Sequence, residues 1–256
     1  MSFADRYGPW ALIAGASEGI GAAFAQALAG RGLNLVLVAR RPEPLDALAA
    51  TLPVETVTVP ADLATVEGRA AVSAAAADLR VGLVVVNAAY SPAGPFVEAD
   101  PVQTQRVIDL NCGALVSLAH AFLPPMVARR RGGLIAMSSA AGLQGGPSLS
   151  VYAASKAFGA VFAEGLWWEL RRHGVDVTTC VAGAVSTPGL ARASRRDAPG
   201  TVSAEVVAEA ALRALGRGPR VVPGAFMRFS TALMARVLPK RTAIATMARA
   251  TDRVLS

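Results

Sequence analysis

Tyr152 and Lys156 stand four positions apart in Ser150-Val151-Tyr152-Ala153-Ala154-Ser155-Lys156, a run of helical character. On a helix that spacing puts both side chains on one face, one turn apart. A phenol beside an ammonium is suited to general acid/base work. Free tyrosine titrates near about 10, and a nearby positive charge favours the phenolate. The residue type matters, because the chain has 23 arginines and only two lysines, Lys156 and Lys240. A compact ammonium and a guanidinium fork do not substitute for one another.

A second constellation is Ala14-Gly15-Ala16-Ser17-Glu18-Gly19-Ile20-Gly21, which joins an apolar run to an Ala-rich one. Glycines at a strand-to-helix junction let the backbone come close to a diphosphate, and the helix N-terminus offers it free N–H groups. The next apolar run ends Val38-Ala39-Arg40-Arg41, with no carboxylate at its tip. An acid there would bind ribose hydroxyls, whereas an arginine accommodates a 2′-phosphate through a charge-assisted fork. NADP(H) is therefore the expected cofactor, ahead of NAD(H).

The Gly-x-x-x-Gly-x-Gly turn and the Tyr-x-x-x-Lys pair together resemble the classical short-chain dehydrogenase/reductase family, and the resemblance covers the chain from about residue 8 to 190. Two further residues match at the family's spacing: Ser139, 13 positions before Tyr152, and Asn111, 28 positions before Ser139. The resemblance implies a catalytic tetrad of Asn111, Ser139, Tyr152 and Lys156 acting on a ketone or secondary alcohol. Tyr152 would give its proton to a carbonyl oxygen held by Ser139. Lys156 would bind the nicotinamide ribose and keep Tyr152 acidic, and Asn111 would hold a water linking Lys156 to solvent. Ser139, rather than its neighbour Ser138, is the serine implied.

The same resemblance implies cofactor contacts from Gly15, Ser17, Glu18, Gly19, Ile20 and Gly21, from Arg40 and Arg41, from Asp62 and Leu63, from Asn87, Ala88 and Ala89, and from Gly183, Val185 and Thr187, besides Tyr152 and Lys156. Asp62 either contacts the adenine ring, as in the family, or caps the following helix. There are departures. Asn87-Ala88-Ala89-Tyr90 stands where the family has Asn-Asn-Ala-Gly, and Tyr90 has the bulk to narrow the pocket near the nicotinamide. Ala182-Gly183 replaces Pro-Gly, and Glu18 stands where many NADP-binding relatives carry a basic residue. No metal is implied.

These residues need a scaffold, and the 256-residue chain can supply one. It is 53% apolar and 17% charged, enough for a sizeable core and too little charge for a disordered chain. No run approaches the roughly 18 uninterrupted apolar residues of a membrane span, so none is expected. Short β-branched runs at 11–14, 34–39, 54–59, 83–87, 134–137, 175–181 and 220–222 alternate with helical patterns near 20–30, 43–51, 65–79, 101–128, 151–172 and 204–215. That alternation predicts a doubly wound α/β fold: one Rossmann-type domain over 1–256, with a mostly parallel seven-stranded sheet covered by helices on both faces. Pro124-Pro125 should end or kink the fifth helix, and Gly132-Gly133 should break the chain before the fifth strand. Arg129-Arg130-Arg131 reads as a solvated helix end. Cys112 and Cys180 read as small buried hydrophobes, and His120 and His173 have no assigned role.

Charge is unevenly placed. Residues 1–189 have a net charge of −1 and residues 190–256 a net of +8. Residues 188–199 lack periodicity and predict a mobile loop, and the tail after Val222 is amphipathic and broken at Pro239. Leu190, Phe226, Met227, Phe229, Leu233, Met234, Val237 and Leu238 alternate there with Arg192, Arg195, Arg196, Arg228, Arg236 and Arg241. Two readings stay open: a core or subunit-contact helix, or a lid over a bulky, lipid-like substrate with arginines facing an acidic group or an anionic membrane. No motif supports specific nucleic-acid binding. A homodimer or homotetramer built partly from 151–172, where Trp167 and Trp168 supply bulk, is expected. The expected location is the cytoplasm, with peripheral membrane contact through the tail as an option. The rival functional reading is a catalytically silent dinucleotide-binding scaffold or sensor.

Overall fold

A computed structural model describes residues 2–188, 191, 200–236 and 238–255. Its sheet is built from β1 (Trp10–Ala14), β2 (Asn34–Ala39), β3 (Thr56–Pro60), β4 (Val81–Val86), β5 (Gly132–Ser139), β6 (Val175–Ala182) and, late in the chain, β9 (Arg220–Val221). The spatial order is β3-β2-β1-β4-β5-β6-β9, and every pairing is parallel. The sheet is thus wholly rather than mostly parallel. The strand order reverses between β1 and β4, and a crevice at such a point, outside the carboxyl ends of the strands, is where ligands bind in doubly wound sheets.

Strand pleating divides the core. Ala11 and Ile13 of β1 pack on one face with Phe24 and Leu28 of α2 (Gly19–Ala29) and Val207 and Ala211 of α8 (Ala204–Ala214). Trp10, Leu12 and Ala14 pack on the other with Val72 of α4 (Val66–Ala75), Leu118 and Met126 of α6 (Ala114–Ala128) and Ala163 of α7 (Ser150–Leu170). Since both faces are covered, near-continuous apolar strands are what the sheet requires.

Several expectations need correction. The helix predicted over 101–128 comes in two parts, α5 (Pro101–Ile108) and α6, joined by a π-helical turn, Asp109–Gly113. The break is there and not at Pro124-Pro125, through which α6 runs on to Ala128. The prolines forfeit bonds to only two carbonyls near the helix end, and burial of Phe122, Leu123 and Met126 holds that end in place. Gly132 and Gly133 open β5 instead of preceding it. Cys180 is buried, but Cys112 is only half-buried. The stretch Pro101–Ala128 reaches a mean hydropathy of 1.4, long and apolar enough to cross a membrane, yet half of it is buried within the protein. Its apolar residues serve the core.

Two features had no sequence forecast: α1 (Phe3–Tyr7), whose Arg6 and Tyr7 both bond the Asp176 carboxylate, and a small parallel ladder of β7 (Val185–Ser186) with β8 (Val202–Ser203). The tail forms α9 (Ala225–Arg236) and α10 (Lys240–Leu255), with the expected interruption at Pro239. α3 (Pro42–Ala49) completes the helices that the argument needs. Of the expected mobile loop, Leu190, Arg192, Arg195 and Arg196 lie outside the described residues, as do Val237 and the side chains of Met234 and Arg236.

Candidate active site

The turn after β1 is shaped by backbone contact. Gly15 and Gly19 hold left-handed φ values of 84° and 58°, which glycine adopts without strain. A Cβ on Gly21 would lie 1.8 Å from the Gly15 carbonyl oxygen, and one on Gly15 would lie 2.7 Å from the backbone of Ala88. Asn87 Nδ2 donates to Gly15 O at 2.9 Å, tying the ends of β1 and β4 together. α2 starts at Gly19, and its N-cap, Glu18, makes no side-chain capping bond. Its first N–H groups therefore remain available to an anion.

A hollow of about 330 Å³ opens at this turn, lined by Gly15, Ser17, Glu18, Gly19, Ile20, Arg40, Arg41, Asp62, Leu63, Asn87, Ala88, Ala89 and Thr187. N–H donors beside two guanidinium groups suit a phosphorylated dinucleotide, so the residues present fit such a cofactor. The remaining expected contacts lie outside the hollow. Gly21 is used in packing against Gly15, Val185 is buried in the core, and Tyr152 lines a neighbouring cavity. At Gly183 a Cβ would come within 2.7 Å of Met227 in α9. Sequence reading had Met227 only as one apolar residue of the tail; the structure puts it at the carboxyl end of β6.

At the far end of the hollow, Arg41 Nη2 sits 3.6 Å from Glu18 Oε2, so the acid that argued against a phosphate is itself partly offset. Asp62 does not cap α4. Thr65 does, accepting from Gly68 N at 3.0 Å. Asp62 instead accepts from Ala64 N and pairs with Arg106 of α5 at 2.5 Å. Burial raises the Asp62 carboxyl pKa, but the Arg106 and Ala64 bonds and the charges of Arg106 and Arg40 outweigh it and hold the group below the usual carboxylate range. Arg106 was not foreseen, since nothing in a lone arginine on a helix signals a partner 44 positions away.

Tyr152 and Lys156 stand on the first turns of α7, facing the end of β5. The half-exposed Ser139 accepts from Ala141 N at 3.2 Å and sits beside Tyr152, whose ionised phenol it favours. Ser138, buried, donates to Lys156 O at 2.8 Å and so fastens strand to helix. Lys156 is buried, and its Nζ donates to Met137 O at 3.0 Å, 5.7 Å from the Tyr152 ring centroid. Burial pushes its ammonium down to about 8, against a small opposing effect of Cys112. Burial also pushes the Tyr152 phenol up, opposed by Ser139. The phenol is thus less acidic than a free tyrosine, because desolvation outweighs the effect of Ser139.

Asn111 lies buried in the π turn. Its Oδ1 accepts from Tyr90 N at 2.8 Å, and its Nδ2 donates to Tyr90 O at 3.1 Å and to Ser155 Oγ at 2.9 Å. Ser155 in turn donates to Tyr152 O at 2.7 Å. The side chain of Asn111 therefore clamps the loop after β4 to the helix carrying Tyr152, and any water held for Lys156 would fall to its main chain. A π turn inserts one residue into the helical ladder, which a spacing argument cannot see. Tyr90 lines a depression with Arg40, Thr65 and Arg106, next to the cofactor hollow. Beside Tyr152 a cavity of about 400 Å³ is walled by Pro92, Phe96, Val107, Leu149 and Val151, with Glu98, Asp100, Gln103, Thr104, Ser148 and Ser150 as charged and polar groups.

Residues 9–198 match the short chain dehydrogenase family. A very-long-chain 3-oxoacyl-CoA reductase-like protein of Arabidopsis thaliana is 33% identical over 229 residues, 85% of this chain and 73% of that one. The inactive hydroxysteroid dehydrogenase-like protein 1 of Homo sapiens is 33% identical over 71% of this chain and 57% of its own. Among solved structures, a 7beta-hydroxysteroid dehydrogenase superposes with a TM-score of 0.90 at 28% identity, covering 96% of this chain and 99% of that one. A short-chain dehydrogenase from Sphingobium yanoikuyae in complex with NADPH gives 0.79 at 34% identity, covering 89% and 93%.

Proposed function

The chain belongs to the short chain dehydrogenase family, oxidoreductases acting between alcohols and ketones, and from that premise we propose that it interconverts a bulky apolar ketone and its secondary alcohol with NADP(H), using Tyr152 as the general acid/base. One observation carries the reading: Tyr152 lines a cavity of about 400 Å³ whose walls include Phe96, Val107, Leu149 and Val151, with Ser139 beside it and the buried Lys156 one helical turn away. The hollow with Arg40 and Arg41 supports NADP(H), as does the NADPH complex of a relative.

A nicotinamide cofactor bound in the hollow would supply the hydride. Burial keeps Tyr152 protonated at neutral pH, the state needed to give a proton to a carbonyl oxygen. The Ser139 hydroxyl shares that oxygen and orients it. Lys156, held by Met137 O, keeps its charge below about pH 8, where it donates towards the cofactor's ribose and favours the phenolate left behind. In the oxidising direction the phenol must first lose its proton, so oxidation favours alkaline pH. Phe226 and the rest of α9, which lays Met227 on Gly183, form the lid for a large substrate.

Two surface readings accompany this. α7 exposes Phe158, Val161 and Trp168, a face for a homodimer or homotetramer. α9 exposes Phe226, Phe229 and Leu233 at helical spacing beside the exposed Arg228, which suits reversible contact of a cytoplasmic protein with an anionic membrane.

Tyr152→Phe is the test. We expect kcat to fall by roughly 10³-fold, in the range a lost proton donor costs, with NADPH binding by fluorescence retained. Activity within a few-fold of the parent would end the mechanism. A parent protein that binds NADPH but turns over no ketone or alcohol would favour the silent scaffold, the reading that the inactive human relative keeps open.

A further inference from the structure

Three arginines and two acids meet where the cofactor hollow borders the depression beside α5. Arg40 and Arg41, at the end of β2, line the hollow together with Glu18 and Asp62. Arg40 also lines the depression, and so does Arg106 of α5. Both acids are engaged. Glu18 Oε2 lies 3.6 Å from Arg41 Nη2, and Asp62 Oδ2 lies 2.5 Å from Arg106 Nη2. Asp109, the remaining acid of the depression, accepts from Gln105 Nε2 at 3.1 Å. The exposed Arg40 makes no ion pair among the described residues.

Asp62 is the carboxylate within electrostatic reach of Arg40. Burial works against its ionisation; the Arg106 bond, the Ala64 bond and the Arg106 charge overcome that, and the charge of Arg40 adds the least. The two guanidinium groups therefore bear on one carboxylate, and Arg106 holds it. Take Arg106 away and a partly desolvated carboxylate loses its partner, which is costly unless another cation moves in. Arg40, on a long flexible stem, is the cation at hand. Once paired it no longer presents an open fork to a phosphate.

We infer that Arg106 is a positioning residue that sets cofactor preference: by occupying Asp62 it leaves Arg40 unpaired for the 2′-phosphate of NADP(H). Arg106 lines neither the cofactor hollow nor the Tyr152 cavity, so it acts through Asp62 and Arg40 and touches no reactant. The inference rests on the NADP(H) reading of the hollow. A competing role comes from the helix itself, since α5 also carries Gln103, Thr104 and Val107 to the wall of the Tyr152 cavity. Loss of the clamp could then loosen α5. That would affect NADPH and NADH alike, because the two differ only in the 2′-phosphate.

The deciding quantity is the ratio of dissociation constants, NADH over NADPH, measured on the full chain by cofactor fluorescence, so that no turnover is needed. Arg106→Met should lower the ratio at least fivefold by weakening NADPH, with NADH binding within threefold of the parent. The Arg106 and Asp62 side chains keep 26% and 32% of their exposure, so this variant should fold. Arg106→Lys, which keeps a cation against Asp62, should hold the ratio within twofold of the parent. Combining Arg106→Met with Asp62→Asn should restore the ratio, because the acid that would capture Arg40 is gone. An unchanged ratio in Arg106→Met, equal weakening of both cofactors, a ratio in Arg106→Lys as low as in Arg106→Met, or no recovery in the double variant would overturn the inference. The parent's own ratio tests the NADP(H) reading and the change in that ratio tests the role of Arg106, so each can fail without the other.

Discussion

The turn at residues 15–21 and the turn at residues 142–147 both leave the carboxyl end of a strand, are rich in glycine, and lead to a helix whose N-cap makes no side-chain bond. They are held in different ways. In the first, glycine hydrogens stand where backbone presses on backbone, with Gly21 against the Gly15 carbonyl and Gly15 against Ala88. In the second, Gly142 is tight against α7, but a Cβ on Gly145 would meet only Ile244, at 3.7 Å, and Gln144 is left unpaired. The first turn is fixed by the sheet that it leaves. The second takes its walls from α7 and from a helix that begins almost one hundred positions later, so its shape is set by packing between distant segments and it retains an open cavity.

The largest expected effect is on the tighter turn. Gly21→Ala should destabilise the protein by roughly 3 kcal/mol or more, because the clash is with backbone that cannot rotate away, and should abolish NADPH binding. Denaturant unfolding measures it, and a loss under about 1 kcal/mol would mean that the turn yields. Lys156 bears on the same contrast, as a buried polar group that has its partner where Gln144 has none. Its folded pKa of about 8 lies below the 10.5 of an unperturbed lysine, so between those values the unfolded chain binds more protons. A Lys156→Met variant as reference cancels the opposing effect of Cys180, whose thiol burial pushes up to about 12. Read against it, the relative stability of the cofactor-free parent should therefore rise between about pH 8 and 10.5, on the order of 1 to 3 kcal/mol. A flat difference between the two in thermal unfolding would show that Lys156 stays charged when folded. Next comes the cofactor end. The parent should prefer NADPH to NADH by more than tenfold in kcat/KM, about 1.4 kcal/mol, and Arg40→Asp should shrink or invert that ratio. A parent that prefers NADH would mean that Glu18 governs the choice in spite of its pairing with Arg41. The smallest effect belongs to the looser turn: Gly145→Ala should change stability by no more than about 0.5 kcal/mol. A loss approaching that of Gly21→Ala would erase the distinction between the two turns.

The amino-acid sequence by itself determined the strands of the seven-stranded sheet, the glycine turn and the Tyr152/Lys156 pair, because each is a local matter. Period-two and period-3.6 burial, the steric freedom of glycine and the four-residue rise of a helix act over a few neighbouring residues, and Asn34–Ala39 has the limits its β-branched run implied. Tertiary structure decided the rest. The strand order, the π turn that turns Asn111 onto Tyr90, the Arg106 clamp on Asp62 and the placing of Met227 on Gly183 all join segments 21 to 44 positions apart or more distant still. The Tyr152 phenol illustrates the same division. Its spacing to Lys156 could be read in advance, but the direction of its pKa could not, because desolvation depends on everything packed around the group. Contacts of that kind leave no periodic trace in a chain, since either partner alone is an ordinary residue at an ordinary position.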